Sequence, residues 1–204
     1  MDDDSERHQW RCAARRALVS GSAASVSSGV ALSVCSKIDE DAPAGALNGP
    51  SQWLRGEEEA HTRQATAKHT AVGYAIHHGM SIFWATLHER TFGCERKSVA
   101  RHCLEAGATS ATAYVVDYYL TPPRFRPGFR KHLKPRSMFA AYAAFATGLA
   151  AAAIVRDRGM NSGSTTQASR LSSSSSWPAS TCRSASSQSS SSWPGVKPRR
   201  SARQ

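Results

Sequence analysis

Charge is distributed unevenly along this 204-residue chain, and that distribution constrains the fold more than any other feature. Runs of apolar and small residues without Lys, Arg, Asp or Glu alternate with short segments that are dense in charge. Soluble domains spread charge along amphipathic elements, whereas membrane proteins segregate it in this way. Although the mean hydropathy of −0.43 is typical of a soluble protein, the pattern predicts an all-α fold, a bundle of membrane-crossing helices.

Four segments are candidate membrane spans: residues 17–36, 69–87, 104–120 and 137–155. Three of them contain no charged residue, and about 20 helical residues suffice to cross the roughly 30 Å of bilayer hydrocarbon. The segment 104–120 contains Glu105 and Asp117, so it crosses the membrane only if both acids lie near the interfaces.

The number of spans stays open between three and four. With four spans both ends of the chain lie in the cytoplasm, and the external loops carry four and six basic residues, which the positive-inside rule disfavours. With three spans, residues 88–136 and their ten basic residues lie inside and the C-terminal tail lies outside. Charge alone therefore favours three spans.

The chain divides into three parts by composition. Residues 1–16 are polar, residues 17–158 form the helical membrane domain, and residues 159–204 are rich in Ser and basic residues. Such a tail buries too little apolar surface to offset its chain entropy, so it is predicted to be disordered. For residues 17–36 a cleaved signal peptide is the alternative, because a pair of arginines precedes the segment.

Small residues recur at intervals of four in the first and last spans. Such stripes let two helices approach closely, and they also mediate association between copies of a chain. The predicted partners are therefore the lipid bilayer and, through these stripes, a second copy. The stripes are Gly21, Ser25, Gly29 and Ser33, and Ala140, Ala144, Gly148 and Ala152.

Histidines interrupt the second span, which reads "GYAIHHGMSIFWATLHE" over residues 73–89. One helix offers two ligands to a metal ion at spacings of three or four residues. The histidines at 69, 77, 78 and 88 provide neither spacing, so no metal site is predicted.

His77 and His78 are weak candidates for a cofactor-binding or other polar site. Ionisable residues at membrane depth are costly to expose to hydrocarbon and are often functional. His77 shares one helix face with Ser81, Trp84 and His88, and that face is expected to point into the bundle. Three roles stay open: neutral hydrogen bonding to Ser or backbone groups, proton or ion transfer in a redox or conducting protein, and ligation of haem b.

Other chemistry is sparse. Haem b takes one histidine from each of two helices, and His69 and His102 are the candidates for a second ligand. Asp117 is a further polar site in the third span, able to relay protons. The five cysteines form no C-x-x-C pair, and no nucleotide-binding or hydrolase motif is present. We therefore expect no cofactor and no catalytic residue, and a non-enzymatic role is favoured.

The segment "TPPRFRPGFRKHLKPR" at residues 121–136 carries six basic residues and no acid. Arginines alternate with phenylalanines there, a pattern that stacks on single-stranded nucleic acid in a soluble or exported basic protein. Beside an apolar helix, a loop that lies on anionic lipid head groups is the favoured interpretation. The head-group contacts are then expected at Arg124, Arg126, Arg130 and Lys131.

Three segments carry a resemblance: "LNGPSQWLRG", "HTAVGYAIHHGMSIFWATLHE" and "AYVVDYYLTPPRFRPGF", in that order. They resemble a group of small bacterial inner-membrane proteins that cross the membrane four times. The resemblance covers residues 10–158, approximately, and excludes the Ser-rich tail. It implies a multi-pass protein of the bacterial inner membrane, and it brings no established activity and no catalytic residue.

Overall fold

A computed structural model gives an all-helical chain. It describes residues 2–93, 95 and 97–170, with side chains for 3–58, 61–93, 95 and 97–159, and these residues contain no β-strand. The α-helices are α1 (Asp2–Glu40), α2 (Gly45–Asn48), α3 (Gln52–Arg55), α4 (Val72–Phe92), α5 (Val99–Val115) and α6 (Pro135–Arg170). Short 3₁₀ turns lie at Gly49–Ser51, Glu57–His61, Pro123–Phe125 and Phe129–Lys131, and π-helical turns at Ala67–Ala71 and Val116–Leu120.

The four long helices alternate in direction and form an up-down-up-down bundle. α1 packs along both α4 and α6, α6 also packs along α5, and α4 touches α5 over a shorter stretch. The contacts of α1 with α4 run antiparallel, since Gly21 lies against Ile82 and Gly29 against Tyr74. α1 therefore lies between two neighbours along most of its length.

Serine hydroxyls within α1 are satisfied locally, although the segment 17–36 is rich in serine. Ser22 Oγ donates to the Leu18 carbonyl at 2.6 Å, and Ser28 Oγ donates to the Ala24 carbonyl at 2.6 Å. Each hydroxyl bonds the carbonyl one turn earlier, which removes its need for water. A serine-rich helix can therefore lie in apolar surroundings.

The small-residue stripes lie in part at helix contacts within one chain. A Cβ atom added to Gly148 of α6 would lie 2.5 Å from the Ala24 Cα and would also meet the Ser27 hydroxyl. One turn away, Ser27 Oγ donates to the Ala144 carbonyl at 2.8 Å. Association between copies of the chain stays a prediction. Of the other stripe residues, Gly21, Ser25 and Gly29 are buried, Ser33 and Ala152 are half-buried and Ala140 is exposed.

Two helices are long and apolar enough to cross a membrane. They are Asp3–Glu40 within α1 and Pro135–Gly159 within α6, whose most apolar windows have mean hydropathies of 1.5 and 1.9. A core helix of a soluble protein and a signal sequence meet the same criterion. The count of four spans is not confirmed by this measure, because α4 carries several His and Thr residues and α5 is only 17 residues long.

α6 continues past the boundary that composition predicts at residue 159, and it ends at Arg170. Residues 159–170, predicted to belong to a disordered tail, are therefore helical. Once a helix is nucleated, each further residue adds one hydrogen bond, so polar residues can extend it. The remainder of the predicted disordered tail, residues 171–204, lies outside the described residues.

One end of the bundle contains buried ion pairs, here called the ionic layer, formed by Glu89, Lys97, Glu105, Arg156 and Asp157. Arg156 donates to both Glu89 carboxylate oxygens at 2.8 Å, and the Glu89 side chain is fully buried. Lys97 Nζ lies 2.9 and 3.0 Å from the Glu105 carboxylate oxygens, and its backbone N–H donates to Asp157. The layer joins α4, α5 and α6, and breaking one buried pair would leave an uncompensated charge.

The opposite end is closed by two loops, residues 41–71 and 121–134, here called the loop cap. Asn48 Nδ2 donates to the carbonyls of Thr62 and Gln64 at 2.7 and 3.0 Å, which fixes the first loop. The loops pack backbone to backbone, because a Cβ atom on Gly128, whose φ is +77°, would lie 2.8 Å from the carbonyl oxygen of Gly49. Only glycine allows this approach at a positive φ.

Close packing at Gly148 yields a first prediction. We expect Gly148→Ala to lower the free energy of unfolding by about 1–3 kcal/mol, because the methyl group collides with α1. Gly79→Ala is the matched control, since no atom lies within 4 Å of a Cβ atom there, and it is expected to raise stability by up to about 1 kcal/mol. Unfolding followed by circular dichroism in detergent micelles measures both. Equal stability of the two variants would contradict the packing.

Asp39, three residues beyond the uncharged stretch of α1, accepts hydrogen bonds at the N-terminus of α6. The Ser137 side chain and the Lys134 backbone N–H, at 2.9 Å, hold the pKa of the Asp39 carboxyl below its usual value. The ionised carboxylate also interacts favourably with the helix dipole.

We expect Asp39→Asn to cost about 1–2 kcal/mol of unfolding free energy at pH 7. Because the folded-state pKa is depressed, this contribution is full above the unfolded-state pKa of about 3.9 and is lost as the pH falls through the folded-state value. The stability difference between wild type and variant should therefore shrink below about pH 4. Denaturant unfolding at pH 7, 4 and 3 measures it, and a difference that grows on acidification would be inconsistent with this role.

Candidate functional site: a cavity between the four long helices

A cavity of about 50 Å³ lies between α1, α4, α5 and α6, in the half of the bundle nearer the loop cap. Most of its wall is apolar, with Leu32, Met80 and Phe145 among the contributors. A volume of this size accommodates a few water molecules, and a water site needs two to four polar partners. The polar wall residues are Ser28, His77, Ser81, Trp84, Asp117 and Tyr142.

His77 meets a partner on α1. Its Nε2 lies 3.0 Å from Ser28 Oγ, and the direction of the hydrogen bond depends on the imidazole tautomer. The ring is also packed edge-on against Phe129 of the loop cap, with centroids 5.9 Å apart. These contacts fix the imidazole at the cavity wall.

Asp117 reaches the cavity from α5. It lies in the π-helical turn Val116–Leu120 that follows the helix, and such turns often occur at functional sites. Tyr142 on α6 donates its hydroxyl proton to Asp117 Oδ2 at 2.7 Å. A carboxyl group and an imidazole from different helices therefore face one small cavity.

Trp84 contributes a donor that the surrounding protein does not use. The residue is 8% exposed, and its Nε1–H has no hydrogen-bond partner among the described residues. Buried donors are nearly always paired in proteins, with protein groups or with water. Trp84 lines the cavity, so a water molecule or a small polar solute there would be a partner for the indole N–H.

His78 is separated from this site. Its ring stacks on Tyr74, with centroids 6.1 Å apart, and it is not part of the cavity wall. Adjacent residues on a helix point about 100° apart, so His77 and His78 cannot serve one centre. Of the two candidate histidines, the structure brings only His77 together with Asp117.

Among the described residues, no other helix places a second histidine near His77 for haem. His69 bonds the Thr66 hydroxyl at 2.9 Å in the loop cap, and His102 bonds Asp157 at 2.8 Å in the ionic layer, at the opposite end. The cavity of about 50 Å³ is also far smaller than the 300–1,000 Å³ of typical cofactor pockets. Within the described residues no group of three or more His, Cys, Asp or Glu side chains is arranged to hold a metal ion.

The inward polar stripe of α4 agrees with its helical spacing. Ser81, Trp84 and His88 are buried, and His88 Nδ1 lies 2.8 Å from the Thr109 hydroxyl of α5. The stripe leads from the cavity toward the ionic layer. On the opposite face Phe83 is 49% exposed.

The basic segment 121–136 lies in the loop cap and at its edge. Phe129 is buried in the core and Phe125 packs edge-on against Trp53, so these two rings are already in use. Lys131 pairs with Glu57 at 3.2 Å. Of the other predicted head-group contacts, Arg124 and Arg130 are exposed and Arg126 is half-buried.

Sequence reasoning missed Tyr142 and Ser28, the hydrogen-bond partners of Asp117 and His77. One feature of the sequence could have indicated Tyr142, because its hydroxyl is a rare hydrogen-bonding group in the otherwise apolar segment 137–155. No feature of the sequence distinguishes Ser28 from the many other serines in its helix.

Comparison with known proteins gives no identity: the chain matches no protein-family model, no curated protein and no solved structure.

Proposed function

We propose that this chain is a multi-pass protein of the bacterial inner membrane, non-enzymatic, whose four long helices cross the bilayer and which transfers protons through the His77–Asp117 cavity. The observation that carries the proposal is the meeting of an imidazole and a carboxyl group from separate helices at one small cavity inside the bundle.

The separation of the charged ends supports a membrane location. On α1 the charged residues Arg16 and Lys37 are about 32 Å apart along the helix axis, and on α6 Arg136 and Arg156 are about 30 Å apart. These distances correspond to the roughly 30 Å of bilayer hydrocarbon. Between the two ends, Asp117, in the π-helical turn that follows α5, is the single charged side chain among the described residues of the bundle.

The outer surface of this uncharged band is apolar. Val26, Val30 and Val34 form an exposed stripe on α1, and Phe139 on α6 is 78% exposed. Soluble monomers rarely expose large contiguous apolar surfaces. Lipid chains are the natural covering for it.

Four crossings, rather than two, are supported by the bundle itself. α4 runs beside α1 over most of its length, and α5 with its π-helical turn extends from Val99 to Leu120. The Glu105 carboxylate of α5 is paired with Lys97 and Arg101 at one end, which lessens the cost of that acid in the span. The resemblance to four-span inner-membrane proteins points the same way.

The proposed proton transfer rests on the chemistry of the residues that line the cavity. Imidazole and carboxyl groups exchange protons with water, and water molecules in the cavity would connect His77 to Asp117. From there the inward stripe continues through Ser81 to His88, which contacts Thr109 close to the ionic layer.

Topology reporters fused after residues 60, 95, 128 and 165 test the span count. Four crossings predict that 60 and 128 lie outside while 95 and 165 lie in the cytoplasm. If only α1 and α6 crossed, the first three fusions would share one side, and three crossings would move 128 to the side of 95. A sodium carbonate wash of isolated membranes is the companion measurement, and release of the protein into the wash would refute the membrane location.

Proton transfer is testable in proteoliposomes that enclose a pH-sensitive dye. We expect wild-type protein to dissipate an imposed pH gradient faster than protein-free vesicles. Asp117→Asn and His77→Gln should lower the protein-dependent rate on the order of tenfold or more, because each removes a proton-exchanging group. Thr112→Ala, at an exposed position on α5, is the matched control and should retain the wild-type rate. Wild-type vesicles that leak no faster than protein-free ones would refute the proposal.

A further inference from the structure

A second and much larger recess lies on the outside of the bundle, between α5 and α6. Its volume is about 840 Å³, within the range of ligand-binding grooves. The floor is almost entirely apolar and includes Gly107 and Ala111 of α5 and Phe139, Ala143 and Ala146 of α6. This groove is separate from the internal cavity, although Tyr142 borders both.

The groove runs from the loop cap toward the middle of the bundle. It extends about 12 Å along α5, from Gly107 to Val115, and about 16 Å along α6, from Pro135 to Ala146. Half of the bilayer hydrocarbon is about 15 Å thick. The length of the groove along the helices therefore matches the thickness of one lipid leaflet.

Arg130 stands at the loop-cap end of the groove. Its guanidinium donates to the Tyr114 hydroxyl at 3.0 Å and lies 4.2 Å above the centre of the Tyr118 ring. Contact with aromatic rings holds the cation in place without neutralising it. No carboxylate of the described residues lies within 4.0 Å of it, whereas Lys131 next to it is paired with Glu57.

The charge around this end is positive. The surrounding segment 121–136 carries six basic residues and no acid, and Arg124 is exposed in it. An oriented guanidinium next to a tyrosine hydroxyl is suited to bind a phosphate group. The apolar groove, about as long as one leaflet is thick, matches an acyl chain, and the arginine at its end matches a phosphate group. Together they match the two parts of one phospholipid.

We infer that the α5–α6 groove binds one anionic phospholipid of the bilayer, with an acyl chain along Gly107, Ala111 and Ala143 and the phosphate at Arg130. The inference rests on the membrane location proposed above, and it is independent of proton transfer. Anionic lipid is selected over zwitterionic lipid because the head group lies in the positive field of the loop cap.

Native mass spectrometry of the detergent-purified full chain, mixed with equal amounts of phosphatidylglycerol and phosphatidylcholine, tests the groove. We expect one phosphatidylglycerol to be retained with about tenfold preference, equivalent to about 1.4 kcal/mol, because its net negative charge is attracted to Arg130 whereas the choline of phosphatidylcholine offsets its phosphate. Arg130→Gln should reduce that preference to near unity. Arg124→Gln, the same change at an exposed position in the same loop, should preserve it.

A second pair of variants tests the acyl-chain path. Gly107→Leu should lower retention of both lipids, because the new side chain enters the open groove, where no atom lies within 4 Å of its Cβ atom. Ala111→Leu fills the same path. It replaces Gly107→Leu as the test if circular dichroism shows that Gly107→Leu does not fold.

Several outcomes would overturn the inference: equal retention of the two lipids, an Arg124→Gln effect as large as that of Arg130→Gln, unchanged retention in both groove-filling variants, or dimers without bound lipid. If the protein stays in carbonate-washed membranes and shows one of these outcomes, only the groove assignment fails. Release into the wash would instead remove the membrane location itself.

Discussion

The close approach of α1 to two neighbouring helices determines the rest of this structure. At Gly21 and Gly148 there is no room for a side chain, so the backbones of α4 and α6 lie directly against α1. Short interhelical distances allow the Ser28 hydroxyl on α1 to reach His77 on α4. They also allow the neighbouring Ser27 hydroxyl to reach the Ala144 carbonyl on α6. Larger residues at these contacts would separate the helices and remove the polar contacts that line the cavity.

Polar groups inside the bundle are accounted for by short-range partners. Serines of α1 bond the preceding turn, His88 bonds Thr109, and Asp117 accepts from Tyr142. The unpaired exceptions in the middle of the bundle are therefore informative. Trp84 lines the cavity, and its buried indole N–H has no hydrogen-bond partner among the described residues. An unpaired donor in its wall distinguishes the cavity from a packing defect.

Part of this organisation was predictable from sequence. The segregation of charge predicted an all-helical chain, and the helical spacing of His77, Ser81, Trp84 and His88 predicted which face of α4 points inward. The pairing of His77 with Ser28, and of Asp117 with Tyr142, depended on which helices become neighbours, and spacing within one helix carries no information about that. The helical state of residues 159–170 was missed because composition reports on burial, whereas helix propagation depends on local hydrogen bonds.

The position of α1 between α4 and α6 has a consequence for how the chain assembles. The contact between Ser27 and Ala144 joins residues 117 positions apart, so the first helix acquires half of its neighbours only after the last helix has been synthesised. α1 and α4 can pair early as an antiparallel hairpin, but α5 makes few contacts with them until α6 arrives. Because α6 also contributes Tyr142 and Phe145 to the cavity wall, the cavity does not exist in any shorter nascent chain. Completion of the cavity is thus coupled to the packing of α6 against the other helices, and a chain without that packing has exposed helix faces.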